Sequence, residues 1–308
     1  MTTRLYSHSI YLEHLTPAGH PERPDRLRAI QRVLEDEAFQ YLDRREAPDG
    51  DEATILYAHP EEHRERVRQR IPHEGLARID ADTTASPMSW QAALTAIGAA
   101  NAAVDDVFAG AVSNVFVASR PPGHHAEKAT AMGFCFFNNA AIAARHAQRK
   151  HGAERVAIVD WDVHHGNGTQ DIFWNDPTVL YCSTHQMPLY PGTGGKDETG
   201  AGNIVNAPLA ANDGGERFRE AFETRVLTAI DDFRPDLIII SAGFDARPRD
   251  PLAEINLTED DFDWATGKLM DRADRWASNR LVSLLEGGYD LHGLAFSVAA
   301  HVRRLMNG

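Results

Sequence analysis

Five short apolar runs constrain this chain more than any other feature: Val115-Phe116-Val117-Ala118, Val156-Ala157-Ile158-Val159, Val179-Leu180-Tyr181-Cys182, Leu237-Ile238-Ile239-Ile240 and Leu281-Val282-Ser283-Leu284-Leu285. Each is continuous rather than alternating. A strand with one face in water shows a period of two, so a continuous run belongs to a strand buried on both faces of a parallel sheet. Segments with helical patterning lie between and after the runs, at 138–150, 215–233, 259–277 and 291–306. Strand, crossover and strand in repetition predict an α/β fold, a mainly parallel sheet flanked by helices on both faces. The stretch before Val115 reads as helices and long loops that cap or rim that sheet. With 308 residues, 43% of them hydrophobic, and no repeats or low-complexity linker, one domain spanning 1–308 is expected.

The bulk charge excludes some functions. A formal net charge of -14 repels phosphates, so no nucleic-acid partner is expected, and cationic amines or basic peptides are favoured instead. The only two cysteines, Cys135 and Cys182, sit in apolar stretches and read as buried free thiols of a reducing compartment. No stretch approaches the roughly 20 apolar residues that cross a bilayer. The first residues also lack a basic region followed by an apolar run. A cytoplasmic location without a membrane partner is the expectation.

Ligands of open α/β sheets bind beyond the carboxyl ends of the strands, so the residues just after each run carry the functional information. The five continuations are Arg120-Pro121-Pro122-Gly123-His124-His125, Asp160-Trp161-Asp162-Val163-His164-His165-Gly166, Ser183-Thr184-His185, Ala242-Gly243-Phe244-Asp245 and Glu286-Gly287-Gly288-Tyr289. All carry metal-capable or acid–base groups to the same edge. Asp162 and His164, two residues apart on a strand or its extension, point to one side and can grip one ion. Asp245 would add a third ligand. Mixed Asp and His ligands with a position left open describe a catalytic zinc site, though Fe(II) is also acceptable. In the tandem His124-His125, one imidazole can shuttle a proton near neutral pH while the other carries charge, with Asp160 and Asn167 available to fix tautomers. Tyr289, after two glycines, can donate a hydrogen bond to a developing oxyanion.

Together with Gly19-His20-Pro21-Glu22-Arg23-Pro24, Gly133-Phe134-Cys135-Phe136-Phe137-Asn138-Asn139 and Pro191-Gly192-Thr193-Gly194, these stretches resemble the arginase–deacetylase superfamily, and within it the class II histone deacetylase branch. The resemblance implies hydrolysis of an acyl amide, acetyl by the family's habit, with a carboxylate and a free amine as products. It implies Asp162, His164 and Asp245 as zinc ligands, His125 as general base and acid, His124 as its companion held by Asp160, and Tyr289 as the carbonyl-polarising residue. Phe134 and Tyr190 match the aromatic walls of an acyl-lysine tunnel, with Gly133 and Gly287 beside them. A structural potassium ion is implied near Asp160 and Ser183. Asn167 agrees with the neutral partner that many class II members give the second histidine.

Position 190 departs from the usual phenylalanine of the family. Leu252 stands where polyamine-selective relatives place a glutamate, which favours an acyl-lysine peptide or small amide over an acetylpolyamine. Asp80 and Asp82 are acidic residues within reach of the rim, although a solvated loop is the plainer reading of both. A binuclear manganese site is disfavoured because the position two beyond the metal-binding histidine is Gly166 rather than a carboxylate. A non-enzymatic binder of acylated ligands would be expected to have lost one of these groups, and all are present. Bacterial relatives often associate, so a homo-oligomer is compatible with the resemblance.

Overall fold

The computed structural model describes residues 2–308. Its centre is an eight-stranded sheet. In chain order the strands are β1 (Thr3–Ser7), β2 (Asp43–Glu46), β5 (Asn114–Val117), β6 (Val156–Asp160), β7 (Val179–Gln186), β8 (Ile204–Leu209), β9 (Leu237–Ala242) and β10 (Leu281–Leu285). A separate antiparallel pair, β3 (Ala77–Arg78) and β4 (Thr84–Ala85), lies between β2 and β5 in the chain. The sheet order is β2-β1-β5-β10-β9-β6-β7-β8, and every neighbouring pair is parallel. The five apolar runs form its interior, and each residue of β5, β6, β7, β9 and β10 is buried.

The helices are α1 (Asp25–Leu34), α2 (Glu61–Gln69), α3 (Ser89–Phe108), α4 (Asn139–His151), α5 (Asn167–Phe173), α6 (Gly215–Ala221), α7 (Thr228–Phe233), α8 (Glu259–Trp276) and α9 (Leu291–Asn307). They gather in two groups, α3 with α4, and α8 with α9, α1 and the α6–α7 segment. Local chemistry sets their ends. Asn138 caps α4 by accepting from the Ala141 amide, and Gly152 ends it in the left-handed conformation at φ 69. At α8 the Thr258 side chain and Asp261 cap each other's backbone amides reciprocally. Between α6 and α7 the helix widens to a π turn over Phe222–Leu227, where Arg225 donates to the Asn206 carbonyl at 3.0 Å.

The expectation that the chain before Val115 holds only helices and loops is corrected. Both β1 and β2 join the sheet there, and β8 also went unanticipated. These three are the outer strands at either side. The β2 sequence Asp43-Arg44-Arg45-Glu46 is charged throughout, as suits an exposed edge, and β8 at the other edge contains Pro208. Neither has the continuous apolar signature of a strand buried on both faces.

The arrangement explains why the site forms where it does. Strands β5, β10, β9 and β6 are consecutive in the sheet. Their carboxyl ends therefore deliver four of the polar loops to adjacent positions along one edge.

Below that edge, His301 of α9 is fully buried, bridging Thr266 Oγ1 at 2.7 Å and Ser283 Oγ at 2.9 Å. Burial pushes its imidazole down to about 3, so the folded protein holds it neutral. The unfolded chain takes up that proton below about 6.5. Stability from this group is therefore intact above that pH and lost progressively as pH falls from about 6.5 toward 3, at about 1.4 kcal/mol per pH unit. Urea unfolding at pH 7 and pH 4.5 should show a loss about 2–3 kcal/mol smaller in His301→Gln than in the unmodified protein. An equal loss in the two would contradict this account.

Candidate active site

The loop leaving β6 turns sharply at Asp160. Asp160 Oδ1 accepts the Asp162 amide at 3.1 Å, and Asp162 Oδ1 accepts the His164 amide at 2.9 Å. These two turns bring the Asp162 and His164 side chains together. His164 Nδ1 lies 3.1 Å from Asp162 Oδ1 and 3.2 Å from Asp245 Oδ2. The Asp162, His164 and Asp245 donor atoms lie within 4.8 Å of one another, and all three residues are buried. Asp245 Oδ1 accepts the Val163 amide at 2.8 Å, but Asp245 Oδ2 is buried without a well-directed hydrogen bond. Burial opposes a charge on His164, yet the two carboxylates outweigh it and push the imidazole up to about 10. Burial and repulsion from Asp162 drive Asp245 up to about 7. The cluster is thus short of positive charge.

The tandem histidines arrive from the β5 loop. His124 Nδ1 contacts Asp160 Oδ2 at 3.0 Å, and its Nε2 lies 3.8 Å from Asp162 Oδ1. Burial works against a charge on His124, but Asp160 and Asp162 together raise it well above the usual range. His125 behaves in the opposite way. Burial, reinforced by repulsion from His124 and His164, holds it well below the usual histidine value. Its Nδ1 is 2.8 Å from Asn167 Oδ1, while Asn167 Nδ2 donates to Glu127 Oε1 at 2.8 Å. Because Glu127 takes the amide hydrogen, the Asn167 oxygen must face His125. Nδ1 of His125 then carries the proton and Nε2 is the basic atom.

Gly133 packs against the His125 ring. A Cβ at Gly133 would lie 2.4 Å from His125 Cδ2, and its φ of +57 already favours glycine. Gly287 lies behind the aspartates, its amide donating to Asp162 Oδ2 at 2.7 Å; a Cβ there would meet Asp245 Oδ2 at 2.2 Å.

The cluster opens to solvent through a slot of about 190 Å³ lined by Asp82, His125, Gly133, Phe134, His164, Tyr190, Leu252 and Tyr289. Phe134 stands edge-on to Tyr289 with ring centres 5.9 Å apart, and Tyr190 stands edge-on to His125 at 5.1 Å. The Tyr289 amide donates to Asp250 Oδ2 at 2.9 Å, and burial keeps the phenol protonated well above its usual range. Of the residues expected at the slot, Gly287 does not line it. Asp160, the last residue of β6, pairs in register with Ser183 inside β7, and neither lines the slot. Asp160 Oδ2 also accepts from Tyr181 Oη at 3.0 Å, and Ser183 Oγ contacts His185 Nδ1 at 2.8 Å.

The reading of Asp82 as a solvated loop residue is corrected. Its Oδ1 accepts the Gly133 amide at 3.0 Å, which ties it into the slot wall, whereas Asp80 Oδ1 only caps the turn through the Asp82 amide at 2.9 Å. Other supporting groups have roles that the sequence does not assign. Glu286, fully buried and pushed up to about 7 by burial, accepts the Gly123 and His124 amides through Oε2. Arg26 of α1 donates to the Gly288 carbonyl at 2.7 Å and places its guanidinium 5.0 Å from the Tyr289 ring centre. Their partners lie far away in sequence, so no local pattern points to them.

Comparison with known proteins agrees with this geometry. The histone deacetylase domain family matches residues 20–305. The histone deacetylase-like amidohydrolase of Pseudomonas aeruginosa is 39% identical over 294 residues, covering 94% of this chain and 77% of that protein. An uncharacterized protein of Synechocystis sp. is 42% identical over 311 residues, covering 99% of this chain and all of its own length. The crystal structure of the HDA15 HD domain superposes with a TM-score of 0.94 at 38% identity, covering 99% of this chain and 88% of that one. The chain belongs to the histone deacetylase family.

Proposed function

We propose that this chain is a zinc-dependent amidohydrolase, one catalytic unit over its whole length, that removes acetyl or a similar acyl group from the Nε-amine of lysine in peptides or proteins. The observation that carries the reading is the meeting of Asp162, His164 and Asp245 with a neutral His125 and a protonated Tyr289 at the end of one narrow slot. The two buried unpaired thiols, Cys135 and Cys182, fit a reducing, cytoplasmic setting.

The residues fit the metal on their own terms. Two carboxylates and one imidazole converge, one buried carboxylate oxygen has no hydrogen-bond partner, and the cluster pulls positive charge onto His164. Asp162, His164 and Asp245 would hold a zinc ion, leaving coordination open for substrate. When bound, zinc supplies a Lewis acid for the amide carbonyl and lowers the pKa of water to about 7. His125 takes a proton from the attacking water at Nε2 and returns it to the departing amine nitrogen. Tyr289 donates a hydrogen bond to the oxyanion, beside the positive charge that Asp160 and Asp162 maintain on His124. Arg26 holds the Gly288 carbonyl and Asp250 the Tyr289 amide while this happens.

The slot is smaller than the about 300–1,000 Å³ of pockets that enclose drug-sized ligands, so it suits a linear acylamino-alkyl chain. Leu252 gives that chain an apolar wall. Asp82 at the same slot supports a second reading, an acetylpolyamine whose distant ammonium meets that carboxylate.

Comparing kcat/KM on an Nε-acetyl-lysine peptide and on N-acetylputrescine, with zinc-loaded protein, tests the substrate. The peptide should be preferred; preference for the polyamine would transfer the assignment to the second reading. Tyr289→Phe should lower kcat about 10²–10³-fold with KM little changed, the usual loss for one oxyanion donor. Wild-type-like turnover in that variant, or no turnover of either substrate by the zinc-loaded parent, would contradict the mechanism.

Asn167→Asp makes a sharper test. A carboxylate beside His125 raises its pKa, so the acid limb of kcat/KM should move to higher pH, because the base must be neutral to act. The new charge would also face Glu127, now 2.8 Å from the Asn167 amide. Pairing it with Glu127→Gln should therefore restore stability while keeping the shifted limb. An unchanged pH profile in both variants would show that His125 is not the base.

A further inference from the structure

A second group of metal-capable side chains lies on the helices, apart from the four site-bearing strand ends. Asp105 sits in the last turn of α3, and His146 and His151 sit at the end of α4. His146 Nε2 is 2.8 Å and His151 Nε2 is 2.7 Å from the same oxygen, Asp105 Oδ1. The second oxygen, Oδ2, accepts from Lys150 at 2.8 Å. The His151 ring is stacked on Phe108 at 4.6 Å and 12°, which fixes its plane.

Helix electrostatics make a cation welcome here. The carboxyl-terminal ends of α3 and α4 meet at this point, and each presents about half a negative charge. A carboxylate placed there is unfavourable unless positive charge accompanies it. Lys150 supplies one such charge. Both imidazoles turn Nε2 toward Asp105 Oδ1, so a bound cation would take the place of the hydrogens that bridge these atoms.

We propose that Asp105, His146 and His151 form a second divalent-cation site, of the zinc or cobalt class, on the α3–α4 face. The three donor atoms lie within 4.8 Å of one another, as do those of Asp162, His164 and Asp245. Closing a zinc ion between them, with tetrahedral bonds of about 2.0–2.2 Å, requires the two histidine–Asp105 separations to open by about 0.6–0.7 Å. Two histidines and one carboxylate suit zinc, and side-chain exposures of 10% for His146, 20% for His151 and 36% for Asp105 leave room for water to complete the shell. Lys150 on Oδ2 would keep Oδ1 turned toward the ion. Bound there, the metal ties α3 to α4, so its effect is on stability rather than on turnover.

The test uses tag-free, full-length protein stripped with a chelator and titrated with Co²⁺ by equilibrium dialysis, followed by zinc-dependent thermal unfolding. Two Co²⁺ per chain are expected, falling to one in His151→Gln, whose partly exposed position at the end of α4 tolerates the change. Asp245→Asn should retain one ion, and the Asp245→Asn, His151→Gln double variant none. The zinc-induced rise in Tm should persist in Asp245→Asn and shrink in His151→Gln. One Co²⁺ per chain in the parent would overturn the proposal, as would a second ion that survives in a His146→Asn, His151→Gln variant. Retention of two ions by Asp245→Asn would count against the strand-end centre instead, so the two assignments fail separately.

Discussion

Asp162 and Asp245 bury two carboxylates around a single imidazole, and much of the surrounding structure serves to make that tolerable. Neither residue is more than 1% exposed. Placing charge in such surroundings is costly unless it is paired and hydrogen-bonded. Backbone amides of Val163, His164 and Gly287 point at these carboxylates, and the glycine at 287 lets its chain approach where any side chain would collide. The amides do not complete the set, since Asp245 Oδ2 accepts no well-directed hydrogen bond and has only the His164 ring beside it. A dication is the species that satisfies two carboxylates and leaves His164 neutral.

A second buried network performs a similar service for the residue opposite. Glu22 is fully buried between Arg120, which it grips with both oxygens, and Arg26, whose Nη1 reaches it at 3.2 Å. Arg120 in turn binds the Tyr11 and His14 carbonyls, so the Tyr11–His14 segment is locked to the β5 loop. Arg26 carries the link onward to the Gly288 carbonyl and the Tyr289 ring. The amino-terminal segment is therefore part of the scaffold that aims Tyr289. The Gly19–Pro24 stretch is in this respect a structural component, with Glu22 as its central residue.

The same physics decides how much of the molecule is legible in its sequence. The interior strands are legible because burial on both faces leaves continuous apolar runs. The edge strands are not, because exposure dilutes that signal until β2 is entirely charged. The strand-end loops are legible because Asp, His and Tyr concentrated at five run ends is chemically improbable for mere solvent-facing turns. The residues that tune those groups are not legible. Glu286, Arg26 and Glu127 each act on a partner brought close only by the fold, and Asp82 enters the slot only because the Gly133 amide holds it there.

The central claim is that Asp162, His164 and Asp245 share one catalytic metal ion. A crystal structure of zinc-loaded protein with data on both sides of the zinc absorption edge tests it most directly. The account predicts an anomalous peak bonded to one carboxylate oxygen each of Asp162 and Asp245 and to His164 Nδ1, at about 2.0–2.2 Å. A structure in which zinc-loaded, active protein shows no peak among these three residues would contradict it.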